Sequence, residues 1–172
     1  MLNREEILAL VKEGLVTGYI DLATQVTPNG FDLTAASIAS FAGAGQLDFS
    51  NKERVLPKVR ELIPRKDKRT DAHGWWRLTP GAYRVTTNET VKFPKDLIGI
   101  AFPRSSLMRM GAFTQTGVWD AGFTGKSEFI LHVSNPRGVR IKQNARVIQL
   151  IFTRINETRN GYDGIYQAGG KP

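Results

Sequence analysis

Helical spacing of apolar positions is clear only at the start of the chain, and strand-like alternation dominates its second half. Ile7, Leu8, Leu10 and Val11 share one helical face. Asn3 is placed as the N-cap, Glu5 and Glu6 suit the positive end of the helix dipole, and Gly14 supplies a stop. Residues 30–41, GFDLTAASIASF, are apolar and only partly alternating, and 42–50 read as a turn region. From Trp75, short runs rich in Val, Ile, Thr, Phe and Tyr are separated by Pro-Gly, Phe-Pro and Asn-Pro breaks. TPGAY at 79–83 predicts a turn leading into the strand YRVTTNE. LIGIAF at 97–102, EFILHVS at 128–134 and RVIQLIFTRI at 146–155 are further predicted strands. Such spacing predicts an all-β sandwich or barrel, with no internal repeat.

Two stretches break the pattern. Residues 51–72 carry prolines at 57 and 64 and a dense charge run, which predicts an exposed, mobile loop; a short helix between the prolines is the other option. The tail NGYDGIYQAGGKP holds four glycines in 13 residues, so 158–172 is expected to be flexible.

The chain has 172 residues, which suits one domain; 41% are hydrophobic and 23% charged, enough apolar material for a core and too much for a disordered chain. There are no cysteines, so disulfide scaffolds, thiolate metal sites and cysteine nucleophiles are all excluded. No apolar run approaches the ~18–20 residues a membrane-spanning helix needs. The N-terminal MLNREEILALVKEG bears acids early and no small-residue cleavage site, so no secretory leader is expected and the expected location is cytoplasmic.

The net charge of +8 is unevenly spread. Residues 1–51 hold two Lys/Arg against six Asp/Glu; residues 52–77 hold nine against four; residues 78–136, six against four; residues 137–172, seven against two. Two basic blocks therefore flank a nearly neutral middle, and basic excess attracts polyanions or nucleotide phosphates. A solvated surface with a basic loop explains the same numbers.

Three segments carry specific chemistry. In FPRSSLMRMG, 102–111, Arg104, Ser105, Ser106 and Arg109 place two guanidinium groups and two hydroxyls at a strand-to-helix corner. That suits an anion, since arginine pairs bidentately with phosphate, but either serine could simply cap a short helix. TGVWDAGFTG, 116–125, is a glycine-rich hairpin or bulged turn around Asp120, the only acid between Asp96 and Glu128. Asp120 is either an Asx-turn residue or a carboxylate that orients and deprotonates a water. In NARVIQLIF, 144–152, Gln149 is polar within an apolar run, and it either faces solvent or fixes a neighbouring loop.

In this order, P-R-S-S-L, G-V-x-D-x-G-F-x-G and R-V-I-Q-L-I-F resemble the motif series of deoxyuridine triphosphatases. R-S-S-L-x-R-x-G, the preceding LTPGAYRVTTNETVKFP, the N-terminal helix and GFDLTAA at 30–36 are similar to the dCTP deaminase branch of that superfamily. The resemblance runs to about Gln167 and leaves out 51–72. It implies a distorted antiparallel β-barrel or jelly roll with a short N-terminal helix, assembled as a homotrimer with active sites at subunit interfaces. By the same resemblance, Arg104, Ser105, Ser106 and Arg109 bind phosphate, and Gln149 contacts phosphate or a neighbouring loop. Thr116, Gly117 and Val118 form the pyrimidine and deoxyribose pocket, and Asp120 activates the attacking water. Tyr162, Tyr166 and Gln167 belong to a segment that closes over the nucleotide, and Asp32 is assigned structural support.

The branch is decided by the residue beside C4 of the base. Deaminases carry a glutamate in the strand after the hairpin, three residues before an asparagine; counting back from Asn135 gives His132. Glu128 stands on the same strand face, about 13 Å from His132 at the usual rise. The deaminase tail has a lysine before its Tyr-Gln, where this chain has Ile165, with Lys171 as a substitute. The hairpin is two residues shorter between Arg104 and Asp120 and two longer after it. The expectation is therefore a dUTP diphosphatase, acting on dUTP with Mg²⁺ carried on the phosphates and no protein metal cage. The alternatives are a dCTP deaminase, alone or bifunctional, and a non-catalytic binder using the basic blocks. The insert lacks interleaved aromatics before Trp75 and Trp76, so neither nucleic acid nor membrane is an expected partner.

Overall fold

The structure, a computed structural model, describes residues 1–168. The first helix, α1 (Arg4–Lys12), is fixed at both ends by its sequence. Asn3 accepts from Glu6 N at 3.0 Å while the Glu6 carboxylate accepts from Asn3 N at 2.9 Å, and Gly14 takes a φ of 95° just past the end. Ile7 and Val11 are buried beneath it.

A short strand β1 (Val16–Thr17), a one-turn helix α2 (Leu22–Gln25) and β2 (Val26–Thr27) lead into β3 (Gly30–Phe41). β3 is long enough to pair with two strands along one side: β11 (Arg146–Arg154) along its first half and β4 (Val59–Glu61) along its second. On its other side runs β6 (Gly81–Lys92), followed outward by β9 (Thr124–Val133) and β8 (Ala112–Gln115). With β7 (Leu97–Pro103) beyond β11, the antiparallel order is β7-β11-β3-β6-β9-β8. A bridge between Gly99 of β7 and Trp119, just past β8, joins the two edges of this sheet, with N–H···O distances of 2.9 Å in both directions. The barrel-like all-β fold expected from the sequence is thus the observed one. Its interior holds Phe31, Leu33, Ile38, Val85, Leu131, Ile148, Leu150 and Phe152, each fully buried.

The remaining elements are a one-turn helix α3 (Ser105–Arg109) and a separate two-stranded ribbon of β5 (Trp75–Leu78) and β10 (Val139–Lys142). No helix forms between Pro57 and Pro64. Val59–Glu61 find the open edge of β3 instead, and bridges at Gln46–Val55 and Arg65–Trp75 tie the rest of the expected loop to its neighbours.

Local irregularities interrupt the ladders: register shifts fall between Ala35 and Ser37 on β3 and between Thr86 and Thr90 on β6. Glu89, fully buried, serves the groups left unpaired there. Its carboxylate accepts from Thr34 N at 2.9 Å, Thr34 Oγ1 at 2.6 Å and Gln25 Nε2 at 2.7 Å. Gln25 in turn accepts from Ile20 N and Asp21 N through Oε1. Truncation to Glu89→Ala would strand these buried donors and is expected to cost roughly 3 kcal/mol. Urea unfolding should show a lower midpoint at unchanged slope.

Candidate active site

The β8–β9 hairpin opens into a cleft of about 810 Å³. Thr116, Gly117, Val118 and Asp120 line one side of it, Tyr162 and Tyr166 another, and Phe41, Leu56, Pro57 and Val59 a third. Trp119 anchors the hairpin from behind: its side chain is buried, its indole N–H donates to Ser127 Oγ at 2.8 Å, and its backbone is the bridge to Gly99. That anchor leaves the preceding residues facing outward.

Asp120 is exposed to the cleft, and its backbone carbonyl, rather than its side chain, accepts from Phe123 N at 3.1 Å. Among the described residues nothing donates to its carboxylate, so it is not the Asx-turn residue that a glycine-rich hairpin allows. A carboxylate presented this way can accept a proton from a water held beside a bound electrophile.

The tail folds onto the same hairpin. Tyr162 N donates to Ala121 O, and the Tyr162 ring meets Phe123 edge-on at 5.4 Å between centroids. Gln167 accepts from Thr124 N through Oε1 and donates to Gly122 O through Nε2, both at 3.0 Å. Gln167 therefore holds the tail down, while Tyr162 and Tyr166 face the cleft. Lys171 lies outside the described residues.

The other expected site residues gather elsewhere. β7 ends at Pro103, and Arg104 begins α3 as its N-cap without a side-chain capping bond. Neither Ser105 nor Ser106 caps the helix; both hydroxyls are exposed on its first turn, and Arg109 is exposed on its last. Arg104 is aimed by Asp32, which is 2% exposed: Arg104 Nε lies 2.9 Å from Asp32 Oδ2 and Arg146 Nη1 lies 3.1 Å from the same oxygen. Burial pushes the Asp32 carboxyl above the ordinary carboxylate range, and the two guanidinium groups act against that rise. Gln149 lies opposite Asp32 in the β3–β11 register, and its amide donates to Thr27 Oγ1 at 2.6 Å, fixing the β2–β3 turn. Asp32 thus links Arg104 to the register position of Gln149, Ser105, Ser106 and Arg109 follow Arg104 on α3, and none of the five lines the cleft.

Three charged residues of the cleft were not assigned to the site from sequence: Arg84, Lys126 and Glu128, the last considered only for its distance from His132. Arg84 Nη2 donates to Glu61 Oε1 at 3.3 Å, its Nη1 lies 3.5 Å from Glu128 Oε1, and its Nε is buried without a partner. Glu128 also accepts from Thr86 Oγ1 at 3.2 Å. Outward positions on β6 and β9 look like ordinary surface in an alternating pattern; only the β3–β6 and β6–β9 registers bring them together. His132, counted three residues back from Asn135, follows Glu128 and Ile130 on the same face of β9. His132 stacks on Phe113 at 4.8 Å with Nδ1 3.2 Å from Ser134 Oγ, outside the cleft lining, and the β9 residues lining the cleft include Glu128 and Ile130.

Residues 1–155 match the family model described as dCTP deaminase-like. The chain belongs to that family. It is 42% identical over 168 residues to a protein of Archaeoglobus fulgidus named "Probable deoxyuridine 5'-triphosphate nucleotidohydrolase", covering 97% of this chain and 95% of that one. A Methanosarcina mazei protein of the same name is 44% identical over 170 residues, covering 97% and 96%. The Methanocaldococcus jannaschii protein named "Deoxyuridine 5'-triphosphate nucleotidohydrolase" is 36% identical over 143 residues, covering 83% and 87%. Among solved structures, the 2'-deoxycytidine 5'-triphosphate deaminase of Agrobacterium tumefaciens aligns with a TM-score of 0.65 at 23% identity. The alignment covers 90% of this chain and 47% of that one, a likeness of fold. The matched residues include the hairpin, the R-S-S corner and the buried aspartate.

In this member of the family, Asp32 sets where Arg104 points. A double-mutant cycle of Asp32→Asn and Arg104→Gln, measured by denaturant unfolding, is expected to give a coupling of about 1 kcal/mol or more. Additive effects would detach Arg104 from that carboxylate.

Proposed function

We propose that this protein is a dUTP diphosphatase, hydrolysing dUTP to dUMP and pyrophosphate in the cytoplasmic nucleotide pool. The observation that carries the reading is the unpartnered Asp120 carboxylate in an open hairpin cleft, in a chain related over most of its length to proteins named for this reaction. In this reading Thr116–Val118 hold the pyrimidine and sugar, with Tyr162 and Tyr166 covering them. Asp120 takes a proton from water, the water oxygen bonds to the α-phosphorus, and the α–β bridging oxygen leaves with pyrophosphate. Arg104, Arg109 and the Ser105 and Ser106 hydroxyls stabilise charge developing on the phosphates.

The described residues offer no cluster of three histidine or acidic side chains for a resident metal, so the magnesium of this proposal comes bound to the triphosphate, as part of the substrate. The two half-sites do not meet within one chain, and Ile100, Phe102, Met108 and Phe113 leave an exposed apolar surface near the R-S-S corner. Both features support a homotrimer in which one subunit's phosphate corner completes its neighbour's cleft. No described helix is long and apolar enough to cross a membrane.

Glu128 in the cleft favours one second reading, deamination of dCTP at the same site, since a carboxylate beside C4 is what that chemistry needs. Its contacts with Thr86 and Arg84 hold it as an acceptor. Incubation with Mg²⁺ and either dUTP or dCTP, followed by chromatography, separates the readings: dUMP and pyrophosphate are expected from dUTP, and no uracil nucleotide from dCTP.

Asp120→Asn is expected to lower the rate by ~10²–10⁴ while nucleotide affinity stays within about tenfold. Turnover above half that of the wild type would remove Asp120 from the mechanism. Asp120→Asn and Arg109→Ala proteins, each inactive alone, should recover part of the activity when unfolded together and refolded as mixed assemblies. Failure of refolded mixtures that demonstrably contain both chains would show that the sites are not shared.

A further inference from the structure

The two basic blocks of the sequence, far apart along the chain, are joined by the β5–β10 ribbon. Its inner face is apolar, with Trp76, Leu78, Val139 and Ile141 buried. Strand alternation therefore turns Trp75, Arg77, Arg140 and Lys142 outward together. The register pairs Trp75 with Lys142 and Arg77 with Arg140, and the Arg65–Trp75 bridge extends the first row to the insert. The Arg140 guanidinium lies 4.7 Å from the Trp75 ring centroid and Lys142 Nζ lies 5.3 Å from it. Asp67 pairs with both Arg77 and Arg140, holding the two guanidinium groups side by side. Exposed Lys66, Lys68 and Arg69 border the ribbon.

Across 63–77 and 137–142, eight lysines and arginines stand against two aspartates, Asp67 and Asp71. None of these residues lines the cleft, so nucleotide hydrolysis leaves this surface unused. We infer that the ribbon and its bordering insert form a binding surface for the phosphodiester backbone of single-stranded nucleic acid, separate from the nucleotide cleft. Cations held at fixed positions in two adjacent rows suit a chain of regularly spaced phosphates, and an aromatic ring set among them offers a base a stacking surface. The arginines favour phosphate oxygens through their paired N–H donors. Sequence alone left this surface without its aromatic partner, because Arg140 and Lys142 reach Trp75 only through the fold.

The test is fluorescence anisotropy of a labelled oligothymidylate titrated with the full-length protein over a series of salt concentrations. Binding is expected to weaken linearly in log affinity against log salt, and excess Mg·dUTP should leave it unchanged. Arg77→Ala/Arg140→Ala/Lys142→Ala should weaken binding roughly tenfold or more and flatten the salt slope by about 2, near 0.7 per lost phosphate contact. Lys66→Ala/Lys68→Ala/Arg69→Ala removes only exposed loop charge, so it should also weaken binding while keeping the wild-type melting temperature and hydrolysis rate. The inference is overturned if the oligonucleotide fails to bind at low salt, or if Mg·dUTP displaces it. It is equally overturned if the loop variant binds like the wild type, or if phosphatidylglycerol vesicles bind while the oligonucleotide does not.

Discussion

A sheet that curls toward closure can bend at β-bulges, and each bulge leaves buried backbone groups that need partners. In this protein a carboxylate meets that demand at the centre of the sheet. Glu89 receives the amide and hydroxyl of Thr34 and the side chain of Gln25, so a β6 residue serves groups on β3 and α2. Asn88 beside it donates to Thr34 Oγ1 and to Asn144 Oδ1, carrying the same polar seam to the turn before β11. The strands that present the site are therefore fixed relative to one another by side chains as well as by ladders.

Asp32 repeats this logic at the edge of the barrel. One buried oxygen gathers Arg104 from the β7–α3 corner and Arg146 from the start of β11, and Arg146 also donates to Thr24 O. Two cations that would repel one another are held together by a shared anion. Arg104 keeps about a third of its side-chain surface exposed, so part of its guanidinium remains open to solvent.

The fold was legible where strands have one wet face: β6, β7, β9 and β11 show alternation or short apolar runs between turn signals. β3 was harder, because most of it is buried on both sides and it reads as apolar without a period. β1, β2 and β4 are too short for any period to register. At the site, Asp120 and the R-S-S corner stood out because glycines, hydroxyls and arginines cluster locally. Arg84 and Glu128 did not, since their meeting depends on cross-strand register. Counting back from Asn135 chose His132, which shares its strand face with Glu128 and Ile130 but stands further along β9, stacked on Phe113 beyond the residues that line the cleft.

Gln167 acts toward the hairpin as another strand's peptide group would, offering one acceptor and one donor to Thr124 N and Gly122 O. Ala168 N adds a bond to Thr124 O at 2.7 Å. An amide side chain satisfies both hairpin groups at a single alignment, and a slip of one residue would break both bonds. The segment over the cleft is consequently indexed: it is seated at one register, and the placement of Tyr162 and Tyr166 follows from the backbone beneath them.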